Sequence, residues 1–267
     1  MCDTCGCNVT HGNEHLLKSG APLAQTSNGS ESIEVLKGLL AANDHEAQHN
    51  REHFAEHRVL AVNLMSSPGA GKTALLEATI RDLGDRYRIA VIVGDLETEN
   101  DAERIRRHGV PAIQISTGSA CHLDAHMVHS ALHGLDLQEI DIVFIENVGN
   151  LVCPASFDLG QHCNVTLLSS PEGDDKPQKY PVMFRAADLV LLSKSDLTPI
   201  LGDFDPRRAE RHVRELANGA PLIEVSSRNG HGMSAWTGWL ERALQLQRAN
   251  GAVEPQRHVH AAAHTHD

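Results

Sequence analysis

The sequence predicts an α/β domain, a mostly parallel sheet covered by helices on both faces, over about residues 58–249 of 267. Two observations carry this. Short apolar runs alternate with helical stretches, and the runs are not internally polar, as strands buried on both faces require. A hydrophobic content of 41% in 267 residues is enough for one well-packed domain with residues to spare.

The elements follow in order. Residues 8–57 show little apolar periodicity apart from ESIEVLKGLLAAND (31–44), which reads as one short amphipathic helix. RVLAVNLMSS is the first strand, KTALLEATIRDLGD a helix, RIAVIVGD a strand, DAERIRRHG a helix and PAIQIST a strand. A helix around 123–134 precedes strands at DIVFIEN, NVTLLSS, DLVLLSKSD and PLIEVSS, with helices between them and SAWTGWLERALQLQRA last. Three regions result. Residues 1–57 form a His-containing, metal-binding segment, largely flexible with one or two short helices; 58–249 form the nucleotide domain; 250–267 form an irregular His-containing tail.

Composition excludes several classes. A net charge of −12 argues against a nucleic-acid partner, which would need clustered Lys and Arg. No run approaches 18 consecutive apolar residues, so no membrane span is expected, and the N-terminus lacks the pattern of a signal peptide. The expected compartment is the cytoplasm, where thiols stay reduced and clustered cysteines read as metal ligands.

The most specific motif is SSPGAGKTALL, placed between a strand and a helix. A Gly-rich turn there points backbone N–H groups inward and adds the positive end of the helix, which suits phosphate. Gly69, Ala70, Gly71, Lys72, Thr73 and Ala74 are the candidate phosphate-binding residues of a P-loop NTPase, with Lys72 on the β- and γ-phosphates and Thr73 on Mg²⁺. Ser66 stands where the usual pattern begins with Gly. Downstream, SKSD stands where GTPases carry N-K-x-D. Asp196 can accept from both the ring N–H and the exocyclic amine of guanine, which adenine cannot match; Lys194 belongs to the same tetrad. Ser226, in VSSRNG, falls in a loop suited to guanine O6.

Asp95 ends VIVGD and Glu146 ends DIVFIE, on the rim where open α/β sheets bind ligands. With Lys72 they make the candidate catalytic set, as Mg²⁺ or water-network groups, although a carboxylate in either place can equally cap a helix. Arg104, Arg106 and Arg107 read as surface charges.

The six cysteines are unevenly spread: MCDTCGC holds three, while GSACHLDAH places Cys121 beside His122 and NVGNLVCP places Cys153 seven residues after Glu146. Cys121 and Cys153 fit either small buried hydrophobes or a metal site that reports to the nucleotide.

Together, CDTCGC, SSPGAGKT, GDLETENDAERI, GSACHLDA, ENVGNLVCPA and SKSDL resemble the HypB family of nickel-incorporation GTPases in NiFe-hydrogenase maturation, over residues 1–7 and about 58–245. The resemblance implies a SIMIBI-type GTPase with GTP, Mg²⁺ and Ni²⁺ as ligands. It implies a tight Ni²⁺ site at Cys2, Cys5 and Cys7. A weaker Ni²⁺ or Zn²⁺ site follows at Cys121, His122 and Cys153, at the interface of a nucleotide-promoted homodimer. It implies two partners, a HypA-type nickel metallochaperone and the hydrogenase large-subunit precursor as recipient.

The chemistry of the terminus agrees with this. Three thiolates on a mobile end can surround an ion without opposing a packed core, and Gly6 permits the tight turn between Cys5 and Cys7. Removal of Met1 would add the α-amine as a fourth donor, and a planar four-donor set favours Ni²⁺ over tetrahedral Zn²⁺. His45, His49, His53 and His57 recur every fourth residue, as do His129 and His133 after His126. On a helix such pairs either chelate metal or simply form a solvated face. With His258, His260, His264 and His266 they suggest a nickel reservoir. A urease-type nickel GTPase, a storage protein and a small-molecule kinase are the competing classes. The terminal CxxCGC argues against the first, and the guanine-reading SKSD against the last.

Overall fold

The computed structural model describes residues 29–95, 99–118 and 120–250, with side chains described from Gly38 to Ala249. In chain order the elements are α1 (Gly29–Glu56), β1 (Leu60–Ser66), α2 (Lys72–Leu83), β2 (Ile89–Asp95), α3 (Asn100–Arg106), β3 (Ala112–Ser116), α4 (Ala125–Leu132), β4 (Ile142–Glu146), β5 (Cys163–Ser169), α5 (Lys176–Lys179), α6 (Pro181–Arg185), β6 (Leu189–Ser193), α7 (Thr198–Leu201), α8 (Pro206–Glu215), β7 (Leu222–Glu224) and α9 (Met233–Asn250). Each apolar run of the sequence became one strand. The seven strands form a single sheet in the order β3-β2-β4-β1-β5-β6-β7, with every pairing parallel.

Strand periodicity splits the apolar residues between two faces. Leu60, Val62 and Leu64 of β1, with Ile142 and Phe144 of β4, pack with Leu75, Leu76 and Leu83 of α2 and with Trp236 and Leu240 of α9. Ala61 of β1, with Val143 and Ile145 of β4, faces Phe54 of α1 and Val128 and Leu132 of α4. A third cluster joins Val190 and Leu192 of β6 to Phe184 of α6 and Val213 of α8. The sheet centre, β4 and β1, is therefore buried on both sides, and the C-terminal ends of those strands deliver Glu146 and Ser66 to one rim.

The N-terminal helix departs from the sequence expectation. In place of a short helix at 31–44, α1 is one helix of 28 residues ending at Glu56. Its buried positions are Leu39, Asn43, Ala47, Asn50 and Phe54, a helical stripe in which two members are polar. Asn43 accepts the Ala125 N–H at 2.9 Å and donates to the Asp158 carbonyl at 2.8 Å. Asn50 donates to the carbonyls of Ala125 at 2.8 Å and Leu159 at 3.1 Å. An apolar count misses this seam because the asparagines bond to backbone rather than exclude water. The expected N-terminal thiolates Cys2, Cys5 and Cys7, and the tail histidines His258, His260, His264 and His266, lie outside the described residues.

Candidate functional site

The turn from β1 to α2 is built on two left-handed glycines, Gly69 with φ 74° and Gly71 with φ 100°. No side chain caps the first turn of α2, so its N–H groups face the cavity at the sheet rim. Lys72 is buried, and its Nζ donates to Ser66 Oγ at 3.0 Å. Burial holds its pKa below the ordinary lysine value, against the carboxylates of Glu146, Asp101, Glu172 and Asp95, which push it up. Ser66, the residue that breaks the usual motif, thus holds the lysine in place, and its own hydroxyl donates to the Ser67 carbonyl at 2.6 Å.

Thr73 Oγ1 donates to Glu146 Oε1 at 2.8 Å. Burial pushes the Glu146 carboxyl up to about 7, with Lys72 and the Thr73 hydrogen bond opposing, and Oε2 is buried with no hydrogen-bond partner. Asp95, at the end of β2, lines the same cavity with Lys72, Thr73, Asp101, Arg104 and Glu146.

The tetrad after β6 packs directly on the phosphate loop. Ser193 Oγ donates to the Ala70 carbonyl at 2.7 Å, and Lys194 Nζ donates to the Gly69 carbonyl at 2.7 Å from a left-handed backbone at φ 56°. Ser226 Oγ donates to Asp196 Oδ1 at 2.7 Å, and Asp196 lines a cleft with Gly71, Lys194, Leu197 and Arg228. A Ser in place of Asn thus keeps the link to the loop through its hydroxyl.

The loop after β3 and the loop after β4 bring a second set together. The Sγ atoms of Cys121 and Cys153 are 3.0 Å apart, too far for a disulfide, so both side chains remain thiols. His122 Nδ1 lies 3.8 Å from Cys121 Sγ, and one ligand atom from each of the three residues falls within 4.8 Å of the others. His122 is stacked on Phe157, ring centroids 3.9 Å apart, and burial pushes its pKa down to about 4, so the imidazole is neutral at neutral pH. Two thiols and a neutral imidazole make a borderline-soft donor set suited to Ni²⁺ or Zn²⁺.

Several residues at these sites carry no motif. Asn147, the residue after Glu146, accepts the N–H of Leu123 at 3.2 Å and that of Val148 at 3.0 Å, and donates to Asn63 Oδ1 at 3.2 Å. Asn150 donates to the Cys121 carbonyl at 3.3 Å. Between them, a Cβ on Gly149 would stand 2.8 Å from Pro68 Cα, so only glycine lets this loop lie against the phosphate loop. Arg104, expected at the surface and 40% exposed, also borders the phosphate cavity, paired with Glu77 at 2.6 Å and Asp101 at 3.0 Å. Glu172 accepts from both Ser67 Oγ and Ser169 Oγ and so braces the phosphate loop from the side. The one signal for these was their place beside a motif.

Comparison with known proteins identifies the family of the chain. The family model "CobW/HypB/UreG, nucleotide-binding domain" matches residues 60–224, a span that includes the phosphate loop, both thiols and the SKSD tetrad. A hydrogenase maturation factor HypB from Azotobacter vinelandii is 52% identical over 213 residues, covering 80% of this chain and 70% of that protein. The crystal structure of HypB from Helicobacter pylori in complex with nickel superposes with a TM-score of 0.73 at 40% identity, over 80% of this chain and 99% of that one. HypB from Archaeoglobus fulgidus gives 0.72 at 40% identity, over 77% and 100%. The chain belongs to the HypB family of CobW/HypB/UreG nucleotide-binding proteins.

Proposed function

We propose that this P-loop GTPase binds nickel and delivers it during NiFe-hydrogenase maturation, using GTP binding and hydrolysis to change its hold on the metal. The observation that supports it best is the short path between two sites. Glu146 touches Thr73, the next residue Asn147 holds the loop of Cys121 and His122, and seven residues on the same chain brings Cys153.

Lys72 leaves Ser66 for the β- and γ-phosphates when nucleotide enters, and the N–H groups of Gly69 to Ala74 wrap them. Thr73, Asp95 and Glu146 are the residues that would hold Mg²⁺, and the unpartnered, buried Glu146 Oε2 fits that role. Bound Mg²⁺ supplies positive charge to the phosphate oxygens. A cation held there would favour the carboxylate form of Glu146, which burial disfavours. Asp196, aimed by Ser226, selects guanine. Arg104 is occupied by Glu77 and Asp101, so no free cation reaches the γ-phosphate from it, and turnover is slow, on the order of 10⁻⁴ to 10⁻² s⁻¹.

At the metal site Cys121, His122 and Cys153 supply three donors, and Ni²⁺ is the cargo with Zn²⁺ as an acceptable substitute. Val152 beside Cys153 is 58% exposed, an apolar surface suited to a second copy of the chain. A homodimer closed there by nucleotide would complete the coordination. Cys2, Cys5 and Cys7 form a separate terminal nickel site, a HypA-type metallochaperone exchanges metal with the protein, and the hydrogenase large-subunit precursor is the recipient. The experiment is to measure bound nickel and oligomeric state with GDP, with a non-hydrolysable GTP analogue and with neither. Nucleotide-dependent changes in both are expected; constancy of both would overturn the proposal.

A further inference from the structure

The seam between α1 and α4 concentrates imidazoles. His53 near the end of α1, His57 just past it, and His129 and His133 from α4 and its C-terminal cap border one cavity, with Asp136 beside them. The ring centroids of His53 and His129 are 5.5 Å apart, and those of His129 and His133 are 4.9 Å apart. His53 and His57, at and just past the end of α1, are four residues apart, as are His129 in α4 and His133 at its cap, so two imidazoles reach the seam from each side.

The tautomer of His129 is fixed by its neighbours. Asn50 Nδ2 donates to two carbonyls, of Ala125 and Leu159, so the Asn50 Oδ1 that lies 3.0 Å from His129 Nδ1 must accept. Nδ1 therefore carries the proton, and the lone pair sits on Nε2. A ligating histidine whose other nitrogen is held by a fixed acceptor is oriented and made more basic toward a metal. Glu46 Oε1, 3.6 Å from the same Nδ1, adds to this.

We propose that this seam is a second site for a borderline divalent ion such as Ni²⁺ or Zn²⁺, with His129 Nε2 as anchor and His133 and His53 as partners. It contains no thiol, unlike the Cys121, His122 and Cys153 site, which is the group of three found within 4.8 Å among the described residues. The exposed rings of His53 and His133 swing onto the ion, so the site forms around its metal and binds more weakly than preassembled thiolates. It lies on the helix that follows the Cys121 and His122 loop: His129 is four residues, about 6 Å of helix rise, from Ala125 at the start of α4. Metal held here would clamp α1 to α4 next to the thiol loop.

Nickel titration of the full chain tests the site, read by calorimetry for total binding and by thiolate-to-nickel absorption for the cysteine sites. The expected result is a weaker imidazole-only phase, silent in the thiolate band, whose affinity falls at least tenfold in His129→Gln/His133→Gln while the thiolate phase is unchanged. His53→Gln, on the exposed flank of α1, should weaken the same phase without altering α4, which guards against a folding defect in the double variant. His45→Gln/His49→Gln removes another four-residue pair on α1, with rings 4.8 Å apart, and should leave the phase intact. An unchanged weak phase in both seam variants would overturn the proposal, as would its loss with His45→Gln/His49→Gln instead.

Discussion

The side-chain oxygen of Asn147 accepts the backbone N–H of Leu123 at 3.2 Å, joining the residue after Glu146 to the residue after His122. Leu123 is fully buried, so that N–H has no recourse to water. The link ties the end of β4, at the cavity that the phosphate loop borders, to the loop of Cys121 and His122.

Asn147→Ala should therefore cost about 1 to 3 kcal/mol of stability, as expected for stranding a buried donor, and should also separate the two sites. Urea unfolding measures the first effect. For the second, nickel isotherms with GDP and with a non-hydrolysable GTP analogue should converge in the variant while remaining distinct in the parent. Isotherms as distinct in the variant as in the parent would place the coupling elsewhere.

In the proposed function nucleotide choice rests on Asp196, whose Oδ1 accepts from Ser226 Oγ at 2.7 Å. Each charge-assisted contact to guanine contributes about 1.5 to 3 kcal/mol, so Asp196→Ala should weaken GTP binding by at least about tenfold per lost bond. Ser226→Ala, which frees the carboxylate to rotate, should weaken it less. Fluorescent-nucleotide competition reads both, and equal affinity of the parent for ATP and GTP would remove the basis of the assignment.

The sheet was legible because its strands are buried on both faces: IAVIVGD and DIVFIEN admit no exposed face, and their spacing by helices leaves a parallel order as the natural solution. The phosphate loop and SKSD were legible because their chemistry is local in sequence. The length of α1 was not, since Asn43 and Asn50 bury amides that bond to the backbone near α4 and after Cys153. Nor were Asn147, Asn150 and Arg104, whose partners lie 24, 29 and 27 residues away and are set by the tertiary fold alone.

In the proposed function turnover depends on Lys72, which is buried and donates to Ser66 Oγ. Lys72→Ala should abolish GTP hydrolysis, measured as phosphate release under single-turnover conditions. Ser66→Ala removes the resting partner alone and should leave hydrolysis within a few-fold. Robust hydrolysis by Lys72→Ala would mean that the phosphate loop has another charge donor.

Acid sensitivity should trace in part to His162. Its Nδ1 accepts the Ala61 N–H at 3.0 Å, and burial, with Arg51 nearby, pushes its pKa down from 6.5 to about 4. The unfolded chain takes up this proton near pH 6.5 and the folded chain only near 4, so the stabilisation is complete above about 6.5 and is lost as pH falls toward 4. The loss amounts to about 3 kcal/mol at most. His162→Gln retains an acceptor for Ala61 but does not titrate. Its stability should decline less than the parent's between pH 7 and 4.5 in urea melts, and parallel declines would contradict the assignment.

The most direct test of coupling between nucleotide and metal is nickel titration of a Cys2→Ala/Cys5→Ala/Cys7→Ala variant, followed in the thiolate-to-nickel band, first with GDP and then with a non-hydrolysable GTP analogue. Without the terminal thiols the band reports Cys121 and Cys153. A coupling of about 1 to 3 kcal/mol displaces the two isotherms by roughly 5- to 150-fold, and linkage requires nickel to shift GTP affinity by the same factor. That displacement, abolished by Cys153→Ala, is the expected result; identical isotherms with the two nucleotides would contradict it and leave Cys121, His122 and Cys153 as a passive metal site.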